Sequence, residues 1–125
     1  MKKIQIHQFE QPIYPYNLWV CISGELTPIK ERFLNDEGKE IEGDIKNFRA
    51  VTINAITKED PHDNGVIIVF KHKKYLTTSV VAHESYHASQ SFWEHIGETY
   101  PSEEATAYLI GWIAECCDKV KTGRD

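Results

Sequence analysis

The feature that most constrains this chain is a change of hydrophobic period part-way along it. From Thr77 to Ile96 there is neither Gly nor Pro, and Val80, Val81, His83, Tyr86, His87, Ala88 and Phe92 recur at helical spacing. Gly97 supplies a stop signal. Pro101 and Ser102 open a second helix to about Val120, with Ala105, Tyr108, Leu109, Trp112, Ile113 and Cys116 as a broad apolar face. Both helices are apolar enough to be expected largely buried, with Tyr86, Tyr108 and Trp112 as core aromatics. Upstream the pattern is that of strands. Ile4 to Phe9 alternates, Tyr16 to Ser23 is an apolar run after Pro12 and Pro15, and Ala50 to Ile56 sets Val51, Ile53 and Ala55 against Thr52, Asn54 and Ile56. Gly65 to Lys74 has a β-branched core and a lysine-rich end of the kind that blunts an exposed sheet edge, so it reads as an edge strand.

Between these runs, TPIKERFLND predicts a short helix with Thr27 as N-cap and Pro28 at its first position. Residues 37–47 are charged, carry Gly38 and Gly43, and predict a surface loop. Strands followed by two helices point to an α+β fold rather than to alternating βαβ units. The expected architecture is a mainly antiparallel sheet of about three or four strands, then two packed helices, in one domain over residues 1–125.

Composition narrows the function classes. The 125 residues carry 14 Lys+Arg against 19 Asp+Glu, a net charge of -5, with no basic stripe. Nucleic acid and anionic membranes repel such a surface. No apolar run approaches the ~20 residues of a membrane span, and the start MKKIQIHQFEQ lacks the apolar stretch of a secretory signal. Three cysteines, two of them the adjacent Cys116 and Cys117, do not make a disulfide framework and read as buried packing residues. These features predict a cytoplasmic protein. No Gly-rich phosphate loop, CxxC pair or GxSxG elbow supports nucleotide binding or serine hydrolysis.

One window carries chemistry. His83-Glu84-Ser85-Tyr86-His87 is an HExxH pattern. Residues i and i+4 share a helix face, so two imidazoles converge on one ion. Zinc accepts such nitrogen ligands at ~2.0–2.1 Å, and a two-His, one-carboxylate set also suits Fe(II). Glu84, beside that face, is positioned to take a proton from water activated by the ion. A third ligand is needed. The candidates are Glu94, Glu98, Glu103, Glu104 and Glu115: Glu94 shares the helix but lies too far along its axis, Glu98 sits in the turn, and Glu103 or Glu104 opens a returning helix on which a carboxylate meets the imidazoles.

HESYH followed by SEEATAYLIGWIA resembles a zincin of the Glu-ligand, or gluzincin, type. The resemblance implies a zinc metallopeptidase with one Zn²⁺ on His83, His87 and Glu104, and Glu84 as general base. It sets Tyr108 where the family has an Asp, a phenol that would orient an imidazole, and keeps Gly111 at a close-packing position. More broadly, IYPYNLWV, PIKERF, GVIIVF, the HExxH helix and EEATAYL are similar to small zincin-like proteins of phages and mobile elements. The expected substrate is a peptide or protein, extended along the GVIIVF strand.

Other readings of the same residues stand beside this one. His83 and His87 fit a satisfied core or a helix–helix seam, Glu84 fits a solvated helix face, and Glu104 suits a helix's first turn without any metal. A zincin-shaped protein that binds metal without turnover, serving interaction or regulation, is the alternative function. Only 21 residues follow Glu104, where larger zincins carry further catalytic groups. His95 is expected exposed or facing a cleft.

Overall fold

The computed structural model describes residues 4–123. Its elements in chain order are β1 (Ile6–Glu10), β2 (Asn17–Ile22), α1 (Thr27–Arg32), β3 (Phe33–Asn35), β4 (Ala50–Thr57), β5 (Asn64–Phe70), α2 (Thr78–Ile96) and α3 (Glu103–Thr122). A single 3₁₀ turn, Lys73–Tyr75, leads into α2. The strands form one five-stranded sheet in the order β1-β2-β5-β4-β3. Only β2 and β5 run parallel; the other three pairings are antiparallel. The fold is therefore α+β, with a mixed sheet followed by two packed C-terminal helices. It has one strand more than the upper number expected, because β3 is only three residues long and its residues read as the end of the preceding helix.

The sequence explains the layering. On one face of the sheet Leu18, Val20, Val66, Ile68 and Phe70 pack against Ala88 and Phe92 of α2 and Leu109 and Ile113 of α3. On the other face Trp19, Cys21, Ile67 and Val69 pack against Ile29 of α1 and against Ile41 and Ile45 of the charged loop. Strand β5 thus has both faces covered, which is why it reads as an unbroken apolar run rather than an alternating one.

Gly65 marks how closely β2 and β5 approach. A Cβ there would stand 2.2 Å from the Asn17 carbonyl oxygen and 2.7 Å from the Trp19 ring. The lysine-rich end of this segment follows the strand rather than lining a free edge. With β2 on one side and β4 on the other, β5 is central and has no backbone groups to offer a peptide. The expectation that GVIIVF is an edge is corrected accordingly.

Helix ends follow ordinary capping chemistry. The Thr77 hydroxyl accepts from the Val80 N–H and the Ser102 hydroxyl from the Ala105 N–H. Gly97 closes α2 at φ 75°, where a residue without Cβ is favoured. In α1 the cap position belongs to Leu26, which makes no side-chain cap bond, and Thr27 is already helical. Helices α2 and α3 pack antiparallel. Phe92 meets Trp112 with ring centroids 6.2 Å apart, and the Ser85 side chain lies near the Cys117 thiol. Among the described residues no helix is long and apolar enough to cross a membrane.

Candidate functional site

Helix α2 lies over β5 and β4, and its contacts decide which face carries the chemistry. The buried residues of α2 are Glu84, Ser85, Ala88, Ser89, Ser91, Phe92 and Trp93. The buried part of α2 is thus small and polar over much of its length. His83 and His87 are exposed, and Tyr86 is 52% exposed. The expected apolar face was therefore rotated. It counted His83, Tyr86 and His87 as inward, whereas serines and a carboxylate occupy the seam. Tyr108, at 74% exposed, is likewise not a core aromatic, while Trp112 is half-buried against the core as expected.

The two imidazoles meet as the i, i+4 spacing requires. His83 Nε2 and His87 Nε2 are 3.2 Å apart. Two nitrogens bound to one tetrahedral zinc at ~2.0–2.1 Å would stand roughly 3.3 Å apart, so the pair fits half of such a shell. Glu84 Oε2 approaches His83 Nε2 at 3.7 Å. Its other oxygen, Oε1, accepts a hydrogen bond of 2.8 Å from the Thr52 hydroxyl on β4. The carboxylate is 7% exposed, held between helix and sheet with one oxygen anchored and the other beside the imidazoles. A second cross-link follows about two helical turns on, where the Ser91 hydroxyl donates to Asn54 Oδ1 at 2.6 Å.

These links frame a cleft between α2 and β4. Its main part, about 510 Å³, is lined by Phe48, Thr52, Asn54, His83, Glu84 and His87 and extends to Glu94. A second part, about 420 Å³, shares Phe48, His83 and Glu84 and reaches Arg49 and Ser79. Thr52, Asn54, Ser91 and Phe48 were not anticipated as site residues. The available signal was the alternation in Ala50 to Ile56, which puts polar Thr52 and Asn54 on one face of an otherwise apolar strand.

Glu104 does not join this group. It is exposed in the first turn of α3. It lies eight residues before Trp112, and His87 lies five before Phe92, the ring that Trp112 meets. In antiparallel helices rising 1.5 Å per residue, those offsets add to about 20 Å along the axis. Glu103 shares that position, and Tyr108, four residues before Trp112, is also well removed from the imidazoles. The returning helix packs on α2 as expected, but its acidic first turn meets the wrong end of it. Among the described residues no set of three His, Cys, Asp or Glu side chains forms a group able to hold a metal ion.

His95 is exposed and stacks on Tyr16 at 4.4 Å. Burial pushes the Tyr16 phenol above its ordinary range, and the charges of Asp36 and Glu94 push it the same way. Cys21, Cys116 and Cys117 are free and buried, and burial raises each thiol to about 12. Compared with known proteins, the chain matches no family model, no curated relative and no solved structure.

Proposed function

We propose that this chain is a small zinc-dependent hydrolase of the zincin type, acting on peptide or protein substrates in the cytoplasm. The observation that carries the reading is the pairing of His83 and His87 nitrogens at 3.2 Å beside a carboxylate held by Thr52. His83 and His87 would hold the ion, which when bound supplies Lewis acidity toward a carbonyl. Glu84 is suited to accept a proton through Oε2 and to pass it to a leaving amine, because Oε1 is already committed to the Thr52 hydroxyl.

The cleft geometry supports an extended substrate. Strand β3 pairs with β4 only at Ala55, Ile56 and Thr57. Across β4 and β5 the bonded pairs include Arg49 with Lys71 and Thr57 with Asp63, so Val51 and Ile53 turn their backbone groups toward β5. Ala50, Thr52 and Asn54 then direct theirs to the free edge, along the mouth of the cleft. The expected strand-pairing surface thus moves from β5 to the first half of β4.

The test is Glu84→Gln against a broad peptide library with zinc present. The variant should retain zinc and lose hydrolysis; cleavage equal to that of the unaltered chain would remove Glu84 from its assigned role. A second reading, a metal-binding interaction protein without turnover, is favoured by one observation. Among the described residues the imidazole pair is not part of a group of three His, Cys, Asp or Glu side chains able to hold a metal ion. Zinc uptake with no cleavage across the library would select it.

A further inference from the structure

The cleft is electrically polarised along its length. Arg49 lies at the end bounded by Ser79 and Val80, the first turn of α2. Glu94 lies at the other end, in the last turn of α2, and the groove continues there past Asp36. Arg49, Glu94 and Asp36 are all exposed. The titratable side chains between these ends are His83, Glu84 and His87. The dipole of α2 has the same sense, positive toward Arg49 and negative toward Glu94. Beside this gradient run the free backbone groups of Ala50, Thr52 and Asn54.

We infer that the cleft selects extended peptides by charge order, with a cationic residue on the N-terminal side and an anionic residue about five positions later. The inference rests on the peptide-groove reading given above and adds specificity to it. Its steps are geometric. Both neighbours of β4 run antiparallel to it, and antiparallel pairing is the more stable arrangement per residue. A peptide added antiparallel begins opposite the Asn54 end and finishes opposite Arg49. Its N-terminal portion therefore meets Glu94 and Asp36, and its C-terminal portion meets Arg49. Arg49 and Asn54 are five residues apart, about 17 Å of strand, which sets the spacing of the two charges. The imidazoles and Glu84 stand between them, so a bond held there would have a basic residue upstream and an acidic one downstream.

The experiment uses two labelled eight-residue peptides of identical composition, one with lysine at its second and glutamate at its seventh position, the other with these exchanged. Binding to the full chain is followed by fluorescence anisotropy at low salt with a chelator, so that neither metal nor turnover enters. The lysine-first peptide should bind about tenfold tighter, two exposed charge contacts being gained in one order and opposed in the other. That preference should fade at high salt. It should reverse in the double variant Arg49→Glu, Glu94→Lys, which exchanges the charges at the two ends, with folding checked by circular dichroism. Equal affinity for both peptides overturns the charge selection and leaves the groove reading intact. A preference for the glutamate-first peptide overturns the antiparallel orientation. Failure of both peptides to bind overturns the groove reading together with the selection.

Discussion

Replacing Thr52 with Val tests the contact that holds Glu84. The substitution keeps the side chain's shape and removes only the hydroxyl that donates to Glu84 Oε1 at 2.8 Å. Hydrogen bonds to charged groups contribute about 1.5–3 kcal/mol. The cleft is open to water, which replaces part of the lost donation, so the lower end applies and the expected cost is about 1.5 kcal/mol. For 125 residues the unfolding entropy is about 0.26 kcal/mol/K, and the melting temperature should fall by about 6 °C. Thr52→Ser keeps the donor and should recover more than half of that loss. In a Glu84→Gln background the acceptor is neutral, and Thr52→Val should cost about 1 kcal/mol or less. Thermal melts followed by circular dichroism read the four variants against the unaltered chain. If Thr52→Ser and Thr52→Val fall equally, the hydroxyl contributes nothing and the strand, not the bond, accounts for the change.

Three further outcomes follow from the packing. Gly65→Ala forces a Cβ to 2.2 Å from the Asn17 carbonyl and must separate β2 from β5, so it should cost at least about 3 kcal/mol and be read as a collapse of the thermal transition. Cys21, Cys116 and Cys117, with thiols pushed up to about 12, should resist a thiol reagent at pH 8 in the native protein. All three should react in denaturant; rapid native labelling would contradict their burial. Burial lowers the His7 imidazole below its ordinary 6.5. The unfolded chain then binds that proton more readily, so the contribution of His7 is complete above pH 6.5 and is lost as pH falls through its lower native value. Melting temperatures between pH 8 and 5 should decline less steeply for His7→Gln than for the unaltered chain.

What the sequence disclosed tracks the range over which each signal acts. Helix α2 was legible because Thr77 and Gly97 bracket a run free of Gly and Pro, and the His83–His87 convergence follows from helical geometry alone. The centrality of β5 was not legible. Lysines at its end suit an edge, and only the pairing with both β2 and β4 reveals the reverse. The inward face of α2 was misassigned because hydrophobicity favoured Tyr86 over Ser85 and Ser89. The serines are the buried side chains, small enough to pack in the interior of the α2 seam.

Glu104 illustrates the limit of spacing as evidence for contact. A returning helix was foreseen, but the register set by Phe92 on Trp112 was not, and it carries the carboxylate away from the imidazoles. Thr52 and Asn54 came to the site through a strand 32 residues and 37 residues from their partners Glu84 and Ser91, separations that no local pattern encodes.

Metal content measured on purified protein, with uptake on added zinc, addresses the site most directly. One equivalent of zinc per chain, abolished by His83→Ala and by His87→Ala and retained by Glu104→Ala, is the predicted result. Absence of uptake by the unaltered chain, or retention after both imidazoles are removed, would contradict it.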